Sequence, residues 1–338
     1  MNNLFKTKLW VSTRQCRHYV LWVLTIACAG AAQAQVAGAG SSLVRDLMTS
    51  WTSQYGAASG GVSYDPAGSS AGIARASDQS VDFGATDVPL TTAALRQAGL
   101  RQLPIAATAV AVIVNLPELN GKTIKLNGDI LADIYQGAIK EWNHSQIAAN
   151  NPGVALPNKP IVPIWRADGS GQSYALSAYM ARGNAKWRRN FAATSNLSLN
   201  VGKGVRGGQA MIDAVKTTVG AVGYEPLGAA QKSGLSIAEL QNAAAKSVAP
   251  NAGSIAQALD SAQWSQESNS ADLDGSAGPG TYPLTAITYA LLPATLKTGR
   301  KNALPFIQTA LVQGDALAKQ AGFVPLPAAG KAVVAAMR

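Results

Sequence analysis

The sequence is poor in the residues on which metal and hydrolytic chemistry most often depend. It has two cysteines and two histidines among 338 residues, and beyond residue 34 only His144 remains of the four. A zinc site built from Cys and His therefore lacks ligands. A Ser-His-Asp hydrolase would depend wholly on His144, which lies in a polar segment without a candidate partner nearby, and we interpret it as a surface residue. No Walker or Rossmann glycine fingerprint occurs in strand-turn-helix order. The sequence thus predicts that the chain is not an enzyme and needs no cofactor or metal.

Long apolar runs are also scarce. One of them lies near the start of the chain and is preceded by basic residues. Residues 19–27 (YVLWVLTIA) follow a basic stretch and precede Ala32-Gln33-Ala34, a small-x-small cleavage pattern. The run is too short for a bilayer, which takes roughly 20 residues, so a membrane anchor is disfavoured. A lipid on Cys28 is the other alternative. We predict a signal peptide over residues 1–34, a mature chain beginning at Gln35, and a periplasmic location, with release to the outside still open.

Acidic residues are outnumbered, at 18 against 28 Lys and Arg, and the formal net charge is +10. Removal of residues 1–34 takes away four basic residues and no acid, which leaves about +6. A basic surface attracts anions. Because no dense Lys/Arg run with interleaved aromatic residues is present, nucleic acid is a poor candidate partner and small anions are favoured.

Apolar segments alternate with segments of helical spacing along the mature chain. We predict strands at 81–84, 106–116, 162–165, 219–224 and 284–292. We predict helices at 42–54, 91–97, 170–182, 209–216 and 303–320, with Thr91 as a helix N-cap. Residues 269–282 are rich in Ser, Asp, Gly and Pro and are interpreted as a loop or lobe junction. This alternation predicts an α/β fold with mainly parallel sheets.

Four glycine- and serine-rich segments lie where a strand meets a helix. They are GAGSSL (38–43), GSSAG (68–72), VDFGATDVP (81–89) and RADGSGQS (166–173). Glycines let the backbone approach a ligand, and free N–H groups at helix N-termini attract anions. One such segment alone is more often a simple helix cap. Four of them together predict a site for a small oxyanion.

These four segments resemble the signature segments of PstS-type phosphate-binding proteins, the receptors of phosphate ABC importers. LADIYQGAIKEW (131–142) and VGAVGY (219–224) add to the resemblance, which runs from about residue 38 to about residue 327. It implies a two-lobed type II periplasmic binding protein with mixed, mainly parallel sheets and a hinge. Lobe one would comprise residues 35–108 and 286–338, and lobe two residues 109–285.

The resemblance also implies ligand contacts from the first three segments. Ser42 would give a hydroxyl, Leu43 a backbone N–H, and Ser69 both. Asp87 would accept a hydrogen bond from the ligand's own proton. The alternative is that Asp87 only caps the turn that follows it.

The fourth segment would supply the remaining contacts. Arg166 would bind the oxyanion through its guanidinium, with Asp168 in support. Ser170, Gly171 and Gln172 would offer N–H groups at a helix start, and Ser170 its hydroxyl as well. Gln172 stands where the best-known family pattern has Thr, so its side-chain contact is in doubt.

The function that the resemblance implies is high-affinity binding of inorganic phosphate and its delivery to permease subunits of an ABC importer in the inner membrane. One alternative is a secreted phosphate-binding protein without a transport role, serving adhesion, signalling or phosphatase-like chemistry. A receptor for another oxyanion, such as sulfate or arsenate, is a further alternative.

Overall fold

The computed structural model describes residues 35–273 and 278–335 and shows a mixed α/β fold. The predicted signal peptide, its cleavage site and Cys28 lie outside the described residues. One continuous sheet of nine strands runs through the molecule, with helices packed on it. The strands lie in the order β2 (Val62–Asp65), β1 (Val36–Gly40), β3 (Phe83–Thr86), β14 (Thr285–Pro293), β4 (Leu100–Val114), β8 (Ala221–Pro226), β6 (Val162–Arg166) and β7 (Lys203–Val205), and β9 (Ser236–Ile237) pairs with β4.

The first lobe is built on the parallel strands β2, β1 and β3, beside which β14 runs antiparallel. Its elements are β1 (Val36–Gly40), α1 (Arg45–Tyr55), β2 (Val62–Asp65), α2 (Ser69–Ser77), β3 (Phe83–Thr86), α3 (Thr92–Ala98), the first part of β4 (Leu100–Val114), β14 (Thr285–Pro293), α11 (Leu304–Gln313), α12 (Asp315–Gln320) and α13 (Ala328–Ala335).

The second lobe is built on the parallel strands β8, β6 and β7 and contains the rest of β4. Its other elements are β5 (Lys125–Leu126), α4 (Gly128–Tyr135), α5 (Ser145–Asn150), β6 (Val162–Arg166), α6 (Gly171–Gly183), α7 (Ala185–Asn190), β7 (Lys203–Val205), α8 (Gly208–Thr217), β8 (Ala221–Pro226), α9 (Leu227–Ser233), β9 (Ser236–Ile237), β10 (Glu239–Gln241), β11 (Ser247–Val248), α10 (Ala252–Asp260), β12 (Gln263–Ser265) and β13 (Ser270–Asp272).

The long strand β4 connects the two lobes. Residues up to Ala109 pair with β14, and residues from Val110 onward pair with β8. The chain returns to the first lobe where β14 begins, at Thr285. Both flanks of the sheet are parallel, as the sequence predicts, and the two central strands add the antiparallel pairing that makes it mixed. The exact division of the lobes at 108/109 and 285/286 stays a prediction.

Among the predictions for single elements, one helix cap is confirmed and one helix is wrong. Thr91 is the N-cap of α3, as predicted, and accepts a hydrogen bond from Ala94 N–H at 3.2 Å. The single helix predicted over 303–320 is wrong, because the chain breaks at Gly314 between α11 and α12. A Cβ there would lie 2.5 Å from Trp51 Nε1 and 2.2 Å from the Ala310 carbonyl oxygen, so the close approach of helix α1 favours glycine.

Two further predictions need correction. The stretch 269–282 is not a loop throughout, because β13 pairs antiparallel with β12 in a hairpin. His144 is not merely a solvated residue: it is half-buried, and its side chain accepts a hydrogen bond from Gln146 N–H as the N-cap of α5. No helix within residues 35–273 and 278–335 has the length and apolar character that crossing a membrane requires.

Candidate functional site

Asp87 lies directly after β3 and is the centre of a buried cluster of hydroxyl groups. Ser41 Oγ donates to its Oδ1 and Oδ2 at 2.7 and 2.6 Å. Thr288 Oγ1 donates to Oδ1 at 2.6 Å, and Ser69 Oγ donates to Oδ2 at 3.2 Å. Three hydroxyls thus donate to a carboxylate that has about four acceptor sites, so Asp87 is held in place and keeps room for one more donor.

The turn after Asp87 is capped by a different side chain. Val88 N–H donates to Thr86 Oγ1 at 3.1 Å, and the Asp87 carboxylate points into the hydroxyl cluster instead. Burial raises the pKa of the Asp87 carboxyl above its usual value, and hydrogen bonds from the three hydroxyls offset part of that rise. The geometry therefore gives no support to the turn-capping alternative.

Arg166, the last residue of β6, is the buried cation of the site and has no exposed surface. Its Nε and Nη2 both donate to Asp168, Nε at 2.6 Å, in a two-pronged ion pair. Nη2 also donates to Ser42 Oγ at 3.1 Å. Its Nη1 is buried and has no hydrogen-bond partner within the described part of the chain. A buried N–H group without a partner is costly, so Nη1 is suited to an anionic ligand.

Hydrogen bonds to the Arg166 backbone and to its partner Asp168 fix the orientation of Arg166. Tyr224 OH accepts a hydrogen bond from Arg166 N–H at 2.9 Å and shares another with Ser173 Oγ at 2.7 Å. Gly207 N–H donates to Asp168 Oδ1 at 3.2 Å. Burial opposes the charge on Arg166, but the ion pair with Asp168 outweighs it and raises the pKa of the guanidinium. The same pair lowers the pKa of Asp168 despite partial burial.

Helix α6 points its N-terminus at the hydroxyl cluster. Ser170 is the N-cap and its Oγ accepts from Ser173 N–H at 3.4 Å. Gly171 lies so close to the first lobe that a Cβ would be 2.4 Å from Asp87 Oδ2 and 2.6 Å from Ser69 Oγ. The Gln172 amide is buried, and neither of its polar atoms has a partner among the described residues.

The two lobes are in contact over the site. Ser70 N–H of α2 donates to the Gly169 carbonyl at 3.1 Å, and the hydroxyls of Ser70 and Ser195 are 3.3 Å apart. Gly68 has φ +100°, and a Cβ on it would lie 2.8 Å from the Gly169 carbonyl oxygen. The structure is therefore a closed form, in which the N-termini of α2 and α6 meet.

The structure brings the residues predicted from the four segments to one place, with differences in detail. Leu43 N–H donates to Ser41 Oγ at 3.1 Å, so the hydroxyl of Ser41 already engages a group expected to serve the ligand. Ser41, Thr288 and Tyr224 belong to the cluster and were not predicted. Ser41 stands beside Ser42 in a segment already singled out, whereas nothing in the local sequence marks Thr288.

The chemistry available is that of anion binding by neutral dipoles and one cation. Within residues 35–273 and 278–335, no three His, Cys, Asp or Glu side chains lie together in a way that could hold a metal ion. Two helix N-termini contribute partial positive charge, and hydroxyls can donate or accept. Asp168 is paired to Arg166, and the buried Asp87 carboxylate can accept one more hydrogen bond, so the site suits an oxyanion that carries a proton of its own.

Comparisons with known proteins agree with this chemistry. The sequence profile of the PBP superfamily domain matches residues 27–308. The chain is 34% identical over 297 residues to the phosphate-binding protein PstS of Xylella fastidiosa strain Temecula1, with 87% of this chain and 82% of that protein covered. It is 32% identical over 316 residues to PstS of Haemophilus influenzae, covering 91% and 93%. A phosphate ABC transporter substrate-binding protein of Clostridium perfringens, crystallised with bound phosphate, has the same fold at 19% identity, with a TM-score of 0.64 and coverage of 86% and 99%. The chain thus belongs to the PBP superfamily and, within it, to the PstS family of phosphate-binding proteins.

Proposed function

We propose that this chain binds inorganic phosphate between its two lobes and delivers it to the permease of an ABC importer. The proposal rests on one observation in a member of the PstS family: a buried hydrogen-bond donor and a buried hydrogen-bond acceptor lie at the contact between the lobes. Arg166 offers a buried Nη1 that has no partner among the described residues, and Asp87, on the other lobe, offers a buried acceptor. Phosphate near neutral pH has both oxygens to accept from Arg166 and an O–H to donate to Asp87.

The proposed ligand contacts are those predicted from the sequence, and one further residue supports them. Phosphate would be held by the residues that converge on the lobe contact: Ser42, Leu43, Ser69, Asp87, Arg166, Ser170, Gly171 and Gln172, with Asp168 positioning Arg166. Ser41 joins them as the residue that positions Asp87. We place the hinge where β4 leaves β14 for β8 and where the chain returns into β14, between lobes of residues 35–108 plus 286–338 and residues 109–285.

Titration calorimetry of the purified protein with phosphate and with sulfate tests the proposal. We expect saturable 1:1 binding of phosphate and a far weaker response to sulfate. Equal affinity for the two anions, or binding of neither, would overturn the assignment of the ligand. Export to the periplasm and use by a permease are tested separately, by rescue of phosphate-limited growth in a strain that lacks its own receptor. Binding without rescue would favour the secreted, non-transport alternative.

We expect Arg166→Ala to weaken phosphate binding by about one to two decades. The reason is the loss of a hydrogen bond to a charged partner, which is worth about 1.5–3 kcal/mol. The loss stays moderate because hydroxyls and helix N–H groups remain. Calorimetry on the variant gives the affinity, and Arg75→Ala serves as the control, because Arg75 of α2 is exposed and pairs with exposed Asp65 of β2. Equal affinity in the Arg166 variant and the parent protein would remove Arg166 from the site.

We expect Gln172→Thr to tighten phosphate binding by up to about tenfold. The buried Gln172 amide has no partner in the described structure, and a compact hydroxyl in its place adds one hydrogen bond to the ligand, worth about 0.5–1.5 kcal/mol. Helix α8 provides a matched control, since Gln209 follows Gly208 there as Gln172 follows Gly171 in α6, yet Gln209 bonds exposed Asp213. A weaker affinity in Gln172→Thr would show that the amide itself contacts the ligand.

A further inference from the structure

Glu225 is a buried acid on β8 that the proposed phosphate contacts do not use. Its side chain is 3% exposed, and Arg166 is the charged group that acts on it most strongly. Oε1 is fully buried and has no hydrogen-bond partner within the described part of the chain. At the start of α8, a Cβ on Gly208 would lie 2.8 Å from Glu225 Oε2, so the helix start leaves space for the carboxyl only because glycine is there.

The surroundings of Glu225 connect it directly to the anion site. A void of about 10 Å³, room for about one water, is lined by Glu225 together with Ser42 and Leu43 of the first segment. Charged groups act on the carboxyl from two directions: Arg166 and Asp168 at the end of β6, and Arg45 and Asp46 of α1. The other residues that line the void carry no charge, and they are Gly208, Pro226, Ala229, Ala321 and Phe323.

The charge of Glu225 is poorly stabilised in this position. Burial raises the pKa of the Glu225 carboxyl to about 7, although Arg166 and Arg45 act in the opposite direction. At neutral pH a carboxyl with this pKa is about half ionised. A phosphate dianion bound to Arg166 adds negative charge to the surroundings of Glu225, which disfavours an ionised Glu225 further.

We propose that Glu225 is a proton-exchanging residue of the anion site: when phosphate binds beside Arg166, the Glu225 carboxylate takes up a proton from solvent. The cleft then gains the negative charge of phosphate and loses the negative charge of Glu225. The inference rests on the proposed function, because it concerns the same site. It makes Glu225 a determinant of affinity without contact to the ligand, and it makes phosphate affinity fall as the pH rises through neutrality.

Calorimetry with inorganic phosphate in two buffers of different ionisation enthalpy measures the protons taken up on binding. At pH 7 we expect the parent protein to take up about half a proton more than Glu225→Gln, since a group with a pKa near the working pH is about half ionised. Between pH 7 and pH 8.5 we expect the affinity ratio of Glu225→Gln to parent to rise about tenfold. The ionisation of phosphate itself is common to both proteins and cancels in the ratio.

A matched control is Glu141→Gln, an exposed glutamate on the connection between α4 and α5, which we expect to behave as the parent. Should Glu225→Gln fail to fold, carbon NMR of glutamate carboxyls in the unmodified protein replaces it, since the chain has only five glutamates. There we expect one carboxyl to titrate near neutral pH and to become protonated on addition of phosphate. Phosphate binding with equal proton uptake and a flat affinity ratio would overturn the role of Glu225, whereas absence of phosphate binding in the parent would overturn the proposed function.

Discussion

Asp87→Asn is expected to lower the preference for phosphate over sulfate by about one to two decades, while phosphate still binds. A site built around a hydrogen bond that one ligand can make and another cannot discriminates by roughly 10⁴–10⁵. Sulfate has the shape and charge of dibasic phosphate but no proton, so it leaves the Asp87 carboxylate facing oxygen lone pairs. The amide of Asn can donate, and it carries no charge.

The size of the effect follows from the charge and from the environment. Two unit charges about 4 Å apart interact by about 4 kcal/mol at an effective dielectric constant of 20, and each 1.4 kcal/mol is a factor of ten. Removal of the carboxylate therefore relieves bound sulfate and bound phosphate alike of a repulsion of this size. Phosphate alone also loses a charge-assisted hydrogen bond worth about 1.5–3 kcal/mol, so the preference for phosphate falls by that amount, about one to two decades. Ser41, Ser69 and Thr288 can rotate their hydroxyls to accept from the amide, which keeps residue 87 in place.

Competition of sulfate against labelled phosphate at fixed pH and salt gives the selectivity of each protein. Asp82→Asn is the matched control, because Asp82 is also buried near β3 but accepts from the backbone N–H groups of Ala37 and Lys301. We expect that variant to be less stable and equally selective. If the Asp87 variant kept the parent's selectivity, Asp87 would have no role in recognition.

How far the site could be predicted depended on where its residues lie in the sequence. Ser42, Ser69 and Arg166 stand in glycine-rich segments between a strand and a helix, and this local context is enough to indicate an anion site. Ser41 is in the same segment, but its direction depends on Gly40, whose φ of +142° and approach to β3 turn the chain after β1. A Cβ on Gly40 would lie 2.1 Å from the Ala85 carbonyl oxygen, a contact that no single segment reveals.

Thr288 shows the limit of local reasoning more clearly. It is 201 residues from Asp87 in sequence and reaches the carboxylate only because β14 lies between β3 and β4. The register of β14 against β4 shifts between Thr288 and Tyr289, opposite Ala106 and Pro104, so Ile105 has no partner. Pro104 lacks an N–H group, and a bulge beside it re-aims the neighbouring side chains. Strand order and register of this kind are properties of the assembled sheet, whereas the apolar character of both strands is legible in the sequence.

The second large effect is expected at Gly171, where Ala should weaken phosphate binding by about two to four decades without unfolding the protein. The new Cβ would lie 2.4 Å from Asp87 Oδ2, 2.5 Å from Asp87 Cβ and 2.6 Å from Ser69 Oγ, distances that real Cβ atoms do not adopt. These neighbours belong to the first lobe and Gly171 to the second, so the protein relieves the overlap by keeping the lobes apart. Overpacking of this kind costs about 1–3 kcal/mol in the closed form, and a displaced charged contact adds about 1.5–3 kcal/mol.

The Gly171→Ala substitution strains the closed form of the protein but not the open form. Stability without phosphate and phosphate binding should therefore respond differently, and both can be measured. We expect the melting temperature of Gly171→Ala without phosphate to stay near that of the parent, and the upward shift on phosphate addition to disappear. Small-angle X-ray scattering should show the variant remaining extended in saturating phosphate while the parent contracts. Gly253→Ala is the control: it also lies in the first turn of a helix, α10, and its Cβ would meet only Asn251 Oδ1 at 3.2 Å. If Gly171→Ala bound phosphate as tightly as the parent and contracted with it, closure would not bring Gly171 against Asp87 and Ser69, and the lobe contact described here would not be the ligand-bound arrangement.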